Sequence, residues 1–352
     1  MSGVTIVVMS LALPSGRDLT GAVVALDHAG DEVELRAALD RAADAVAGEP
    51  RSHAPALAQA WSAVLRHTVS AGVRLAGPAD WSWFVSGSAA RGEAVPGSDV
   101  ETMIVLGDEV DDAGKAELLD RAAQVHALLE RCGVRGDGNG VLAGRPRFCR
   151  RRSSWADGIE RWCAEPERDR GVVMTGLMAD AIGLDAGAAD LLRDQAVAAA
   201  GRHYPVRQAM VQDATAVRAT IPSRLRLFVS GSDTVDVKRA VIDPVVKIAR
   251  WAALSAGSAV LSTRERLDRG QAAGLLDADD AAVLHECHLW LLRFRWHRHL
   301  AALRAGRAVG DVVALGDLSP QDRAALRSVA RDVFGVMRKL SYLSSVSAFA
   351  DR

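Results

Sequence analysis

The sequence predicts an α/β or α+β domain followed by an almost wholly helical domain. Three observations lead to this prediction. The chain has 352 residues, which is enough for two ordinary domains. Up to about residue 202, strand-like apolar runs lie between segments of helical periodicity. Beyond about residue 207, nearly every segment has apolar residues at helical spacing, and glycines separate these segments.

Local patterns predict the elements of the first half in chain order. Apolar residues on one stripe indicate helices, short apolar runs indicate strands, and Gly-Pro or Asp residues mark turns and helix starts. The predicted order is a helix at 31–47, a helix at about 56–73, a turn at Gly77-Pro78, strands at 81–85 and 99–106, and a helix that starts at Asp111-Asp112 and ends near Cys132.

The same patterns continue to the end of the chain. A glycine-rich loop at 133–144 precedes a segment rich in arginine and tryptophan at 146–165 and a second strand-like run at 172–184. Helical spacing then covers 207–219, 235–256, 278–303 and 319–343. We therefore expect an N-terminal extension with a helix at 1–52, a first domain at 53–203 and a helical domain at 204–352.

Composition and charge exclude several classes of protein. Hydrophobic residues make up 49% and charged residues 25% of the chain, a globular composition. The net charge of −1 argues against bulk electrostatic binding to a nucleic-acid polymer or an anionic membrane.

Cysteine usage and the N-terminal run indicate the compartment. The four cysteines form no C-x-x-C pair, so they predict buried thiols and neither a zinc knuckle nor a redox dithiol. The apolar run at 4–13 has no positive region before it and is too short to span a bilayer. We expect a cytoplasmic protein.

The most informative motif joins the two predicted strands. Gly87-Ser88 ends the first strand, and Asp99 follows eleven residues after Ser88, with Glu101 two residues later. Side chains at i and i+2 of a strand share a face, so two carboxylates would lie side by side. Such a pair favours a cation, and Mg²⁺ prefers carboxylates together with substrate phosphates. Glycine lets a phosphate approach the backbone. The alternative is a solvated strand start with turn residues before it.

This arrangement resembles the polymerase-β-like nucleotidyltransferase superfamily. Gly-Ser-x-x-Arg-x-Glu followed by Ser-Asp-x-Glu is similar, more narrowly, to the nucleotidyltransferases related to the N-terminal part of protein-PII uridylyltransferase. The resemblance extends over roughly residues 55 to 345 and includes that family's helical substrate-binding domain, at Val235-Asp236-Val237-Lys238, 242–250, Thr263-Arg264-Glu265-Arg266-Leu267, 291–297 and Leu318-Ser319-Pro320. It implies an α+β fold, a small mixed sheet with flanking helices, before an all-α domain.

The resemblance implies an Mg²⁺-dependent enzyme that transfers a nucleoside monophosphate from an NTP to a hydroxyl acceptor. Asp99 and Glu101 would hold two Mg²⁺ ions, and Asp180 would be a third acid that binds metal or accepts a proton. Gly87, Ser88 and Arg91 would contact the phosphates, with Glu93 orienting Arg91, while Lys238 is either a nucleotide contact or a structural ion-pair residue. The acceptor is either a regulatory protein, through a tyrosine as in PII uridylylation, or a small molecule.

Three departures from the family pattern support an alternative. Ala90 stands where the family usually has glycine, Glu101 stands where it has aspartate, and no arginine follows Asp180 as expected. Glutamate is one methylene longer, which changes the geometry that octahedral Mg²⁺ requires. The alternative is therefore a nucleotide-binding regulatory or interaction protein that has lost catalysis.

Four further features stay open or are set aside. The loop at 133–144 either closes over a nucleotide or is a flexible connection, and the five arginines of 145–152 either contact an anion or form a solvated face. A repeat of the Phe-Val-Ser-Gly-Ser sequence at 228–232 has no second carboxylate after it, so we interpret it as a coincidence. The histidines at 285, 288, 297 and 299 lie among arginines, which favours a basic helix over a zinc site.

Overall fold

A computed structural model of the chain describes residues 19–47, 53–185, 188, 190–216 and 233–350. It confirms the α+β class, with a small mixed sheet in the first half and a helical C-terminal region. The apolar run at 4–13 and the repeat at 228–232 lie outside the described residues. Within the described residues, every helix falls short of the length and apolarity that crossing a membrane requires.

The described chain divides into two compact units. The first comprises the described residues of Met1–Arg152, Ile182–Ala189 and Trp296–Ala308, and the second comprises those of Ser153–Ala181, Asp190–Arg295 and Val309–Arg352. The second unit thus includes residues 153–181, which the sequence analysis assigned to the first domain. Conversely, residues 296–308, which were predicted to belong to the helical domain, are part of the first unit.

The first unit combines a mixed sheet with helices. Its helices are α1 (Thr20–His28), α2 (Glu32–Ala47), α3 (Ala54–Leu75), α4 (Gly87–Arg91) and α5 (Asp112–Arg131), and its strands are β1 (Trp81–Ser86), β2 (Glu101–Leu106), β3 (Cys149–Arg151) and β4 (Ile182–Gly183). The sheet order is β3-β2-β1-β4. Strand β1 runs antiparallel to β2 and β4, whereas β2 and β3 are parallel.

The core of this unit explains why β1 and β2 are its central strands. Trp83, Phe84, Met103 and Ile104 are all at most 1% exposed, which buries both faces of the central pair. Strands buried on both faces appear as continuous apolar runs, and that is the pattern from which both strands were predicted. Both predictions are confirmed.

One strand prediction is wrong in most of its length, and one strand was not predicted. Most of the run at 172–184 forms a helix, Gly171–Ala179, because a short, mostly apolar helix cannot be told from a buried strand by its sequence. Only Ile182–Gly183 is a strand. Strand β3 lies in the arginine-rich segment, whose charged residues give no strand pattern in the sequence. It is held by parallel pairing with β2.

The second unit is built on helices. These are α6 (Arg152–Ala164, which starts on the last residue of the first unit), α7 (Gly171–Ala179), α8 (Leu191–Arg202), α9 (Tyr204–Ala216), a π-helical turn (Lys238–Ile242), α10 (Asp243–Ser255), α11 (Thr263–Ala272), α12 (Ala278–Arg304, whose last residues belong to the first unit), a 3-10 turn (Leu315–Asp317) and α13 (Pro320–Ala350). Its core joins residues from several of these helices, among them Val245, Ile248, Leu284 and Val333. A two-stranded antiparallel sheet of β5 (Thr234–Asp236) and β6 (Val312–Ala314) accompanies the predicted helices.

The N-cap of α5 gives a first testable prediction. Asp111 Oδ1 accepts a hydrogen bond of 2.8 Å from the Gly114 amide, as the sequence predicted. We expect Asp111→Ala to lower the free energy of unfolding by about 1 kcal/mol, because an amide at the helix start loses its acceptor. Urea denaturation measures the change. Asp111→Ser is the matched control, because serine caps helices equally well, and equal losses in both variants would contradict the capping role.

Candidate functional site

The predicted Gly-Ser and Asp-x-Glu motifs lie at one end of the central strand pair. Ser86, the last residue of β1, is the antiparallel partner of Glu101, the first residue of β2. Gly87 and Ser88 therefore leave the sheet beside the point where Asp99 and Glu101 enter it. Asp99, Glu101 and Ser88 are all partly exposed, so solvent reaches these side chains.

The carboxylate of Glu101 lies directly against the backbone of Gly87. A Cβ atom on Gly87 would be 2.7 Å from Glu101 Oε2 and 2.9 Å from its Cδ, distances that real Cβ atoms essentially never show. Gly87 also has a φ of +65°, in the left-handed region that glycine adopts readily. The structure thus brings the first motif into contact with the second, and glycine is required for that contact.

A tight turn at residues 95–98 directly precedes Asp99. The Ser98 amide donates to the Val95 carbonyl, and the Ser98 hydroxyl accepts from the Val95 amide, each at 2.9 Å. Gly97 has a φ of +82°, which a type II turn with proline before it requires. Ser98 is buried, so the residue that precedes Asp99 is fixed from both its backbone and its side chain.

Arg91 and Glu93 form a buried ion pair beside the motif. Arg91 Nε lies 2.8 Å from Glu93 Oε2, and both side chains are 9% exposed. The local ion pair that the sequence analysis considered is therefore present. A guanidinium held in this way has a fixed orientation, since the carboxylate accepts from a defined N–H.

The glycine-rich loop follows the edge of β2 in a fixed conformation. The Val100 amide donates to the Arg135 carbonyl, the Asp137 amide donates back to the Val100 carbonyl, and the Thr102 amide donates to Val141. These distances are 2.9, 3.0 and 3.0 Å. The segment is thus a wall of backbone beside Asp99 and Glu101, joined to β2 and to Val100 by these three hydrogen bonds.

A half-buried histidine lies within hydrogen-bond distance of Thr102, which is bonded to this wall. The Thr102 hydroxyl accepts from the Ala143 amide at 3.0 Å and lies 2.9 Å from His126 Nε2. Burial lowers the pKa of His126 to about 4. The imidazole is therefore neutral at physiological pH, with one ring nitrogen a donor and the other an acceptor.

One residue of the arginine-rich segment, Arg151, has a structural role. Arg151 donates from Nη2 to Asp112 Oδ1 at 2.7 Å and from Nε to the Val110 carbonyl at 2.5 Å. The pairing with Arg151 lowers the pKa of Asp112. This arginine ties β3 to the start of α5, which is a structural role and not that of a solvated face.

Asp180, the predicted third acid, lies in the second unit and binds two arginines. It is 1% exposed, and Arg250 donates to both of its oxygens, from Nε at 3.0 Å and from Nη2 at 2.6 Å. Arg266 Nη1 donates to Oδ1 at 2.5 Å, while its Nη2 donates to the Ala179 carbonyl. No local sequence pattern identified Arg250 or Arg266 as partners of Asp180.

These contacts give Asp180 partners other than the metal ions that the resemblance implies. Both oxygens of Asp180 are engaged by guanidinium groups, which would repel a cation. Among the residues that the structure describes, no group of three or more His, Cys, Asp or Glu side chains is placed to hold a metal ion. Asp99 and Glu101 are left as the acidic pair of the candidate site.

The remaining predicted residues lie on helices. Lys238, in the second unit, is half-buried at the start of the π-helical turn. His285 pairs with Asp268 at 2.8 Å on the second unit. His299, on the part of α12 that belongs to the first unit, is 3% exposed, and its Nδ1 lies 2.9 Å from the Pro96 carbonyl oxygen.

Two family models match the chain. A model described as "Putative nucleotidyltransferase DUF294" matches residues 40–169, and one described as "Putative nucleotidyltransferase substrate binding domain" matches residues 205–343. Together the two ranges cover most of the chain. No curated protein gives a significant match.

Proposed function

Because the chain belongs to this nucleotidyltransferase family, with its substrate-binding domain, we propose that it transfers a nucleoside monophosphate from an NTP to a hydroxyl group, with release of pyrophosphate. We further propose that the reaction depends on Mg²⁺. The observation that supports this most strongly is the contact of the Glu101 carboxylate with Gly87, beside Asp99. This contact places one carboxylate of the acidic pair directly beside the Gly-Ser motif, which the resemblance assigns to the phosphates.

The donor set fits magnesium. Mg²⁺ is usually bound by one or two carboxylates, with substrate phosphates and water completing its coordination. Asp99 and Glu101 supply two carboxylates that solvent reaches, at the start of a strand whose core residues are buried. When bound, Mg²⁺ neutralises the charge that develops on the attacked phosphorus and on the leaving group.

The remaining residues bind and orient the nucleotide in this proposal. Gly87, which has no Cβ, leaves room for the Glu101 carboxylate beside Ser88, whose partly exposed hydroxyl donates to a phosphate. Arg91, held by Glu93, presents a fixed cation to the triphosphate. Lys238 stays a predicted nucleotide contact of the second unit, and the acceptor is either a protein tyrosine, as in PII uridylylation, or a small-molecule hydroxyl.

One observation favours a second candidate function. In this alternative, the two arginines that bind Asp180 keep it from serving as the third acid that the resemblance implies. A nucleotide-binding regulatory protein without turnover needs no third acid.

Labelled nucleotides distinguish the two functions. The purified protein is incubated with each α-labelled NTP, Mg²⁺ and a cell lysate, and both transferred label and released pyrophosphate are measured. We expect one NTP to label an acceptor only when Mg²⁺ is present. Saturable NTP binding with neither label transfer nor pyrophosphate release would favour the regulatory protein.

Gly87 provides a prediction that is specific to the proposed geometry. We expect Gly87→Ala to lower the transfer rate by about 10- to 100-fold, because the new Cβ displaces the Glu101 carboxylate and a misplacement of about 1 Å has effects of this size. Initial rates at saturating NTP measure the loss.

The double variant Gly87→Ala with Glu101→Asp tests whether the clash with the Glu101 carboxylate causes this loss. Aspartate is one methylene shorter and removes the clash, although the strain of alanine at positive φ, about 1–2 kcal/mol, remains. We expect the double variant to be more active than Gly87→Ala alone. A double variant with only the multiplied losses of the two single changes would show that the contact is unimportant.

A further inference from the structure

A histidine from the far end of the chain contacts the turn before Asp99. His299 Nδ1 lies 2.9 Å from the carbonyl oxygen of Pro96, a residue 203 positions earlier in the sequence. Since a carbonyl only accepts hydrogen bonds, Nδ1 must carry the proton. His299 is 3% exposed and its neighbour Trp296 is fully buried, so the side chain is held firmly in the first unit.

The atom that His299 contacts determines the type of the turn. Residues 95–98 form a turn with Pro96 at the second position and Gly97, at a φ of +82°, at the third. The peptide between Pro96 and Gly97 is the one whose orientation separates a type II turn from a type I turn. A hydrogen bond to the Pro96 carbonyl therefore holds this peptide in the type II orientation.

The other contacts of the turn hold different atoms. Within the turn, Ser98 is bonded to Val95 through its amide and its hydroxyl. From outside, Arg135 Nη2 donates to the Gly97 carbonyl at 3.0 Å. These bonds fix the ends of the turn, whereas His299 holds its central peptide.

We propose that His299 is a positioning residue for Asp99. By fixing the Pro96 carbonyl, it fixes the turn and thereby the direction in which the Asp99 carboxylate meets the metal and the nucleotide. This inference rests on the proposed function, because it assigns His299 a task only if Asp99 binds metal.

A matched pair of variants tests this role. His299→Asn places an amide N–H near the position of Nδ1, whereas His299→Gln places it near Nε2, out of reach of the Pro96 carbonyl. Both variants introduce a polar amide into the same buried place, so they disturb the core to a similar extent. His299→Leu, which has no donor, is the third variant, and circular dichroism shows which variants are folded.

The measurements are Mn²⁺ binding, by electron paramagnetic resonance with a non-hydrolysable NTP, and the Mg²⁺ dependence of transfer. We expect the Gln variant to bind Mn²⁺ about 10- to 100-fold more weakly, the range found when a residue that orients a metal ligand is lost. The Asn variant should bind Mn²⁺ nearly as tightly as wild type. NTP binding without metal should be the same in wild type, the Asn variant and the Gln variant.

The outcomes separate this inference from the proposed function. Wild-type protein that binds Mn²⁺ with NTP, together with Asn and Gln variants that are equally weakened or equally normal, would overturn the positioning role alone. Wild-type protein that binds no Mn²⁺ and transfers no label would overturn the proposed function and this inference with it. If His299→Leu does not fold, the Asn and Gln pair still decides.

Discussion

Replacing Asp99 with asparagine should lower the rate of nucleotidyl transfer by at least about 100-fold, since loss of a residue that merely orients a metal ligand already has effects of about 10- to 100-fold. Asparagine has nearly the same shape and keeps one oxygen, but it lacks the negative charge that attracts Mg²⁺. Asp99 is partly exposed, so we expect the free energy of unfolding to change by no more than about 0.5 kcal/mol.

Rates at several Mg²⁺ concentrations, with urea denaturation beside them, test this expectation. Asp120→Asn is the matched control, because it makes the same chemical change on the exposed surface of α5 in the same unit. Glu101→Gln should show a comparable loss if the two carboxylates act together. An Asp99→Asn variant with the rate and Mg²⁺ dependence of wild type would exclude Asp99 as a metal ligand.

Replacing Asp180 with asparagine should instead destabilise the protein, by about 3–5 kcal/mol, the range found when one partner of a buried ion pair is removed. The side chains of Arg250 and Arg266 are 17% and 3% exposed and would lose their shared counter-charge. The change would also remove the ion pairs that join Asp180, the C-cap of α7, to α10 and α11, which hold the two arginines.

Urea unfolding measures this loss, and Asp279→Asn, at an exposed position of α12, is the control for the chemical change. The two roles considered for Asp180 predict opposite results. A third catalytic acid would give a protein of normal stability that no longer transfers nucleotide. An ion-pair centre gives a less stable protein whose folded fraction keeps its activity.

Features that depend on neighbouring residues were predictable from the sequence. Asp111 caps α5 through an amide three residues away, and the turn before Asp99 follows from the order of proline and glycine. The Gly-Ser and Asp-x-Glu motifs meet because antiparallel pairing of two adjacent strands brings their ends together.

Features that depend on distant partners were not predictable. Strand β3 consists of a cysteine and two arginines, and only its pairing with β2 makes it a strand. Asp180 matches the expected position of a metal ligand, but its ion-pair partners Arg250 and Arg266 follow 70 and 86 residues later. His299 resembled its neighbours on a basic helix, and no local pattern showed that it is buried against Pro96.

Because residues 296–308 belong to the first unit, that unit is completed late in translation. Domains generally fold as units while the ribosome extends the chain from its N-terminus. Here the motif residues emerge early, but Trp296 and His299, which complete their surroundings, are made about 200 residues later. The first unit therefore stays incomplete until most of the chain has been translated. A truncated product that ends between the two matched ranges, after residue 169 and before residue 205, lacks the contact that holds the turn before Asp99.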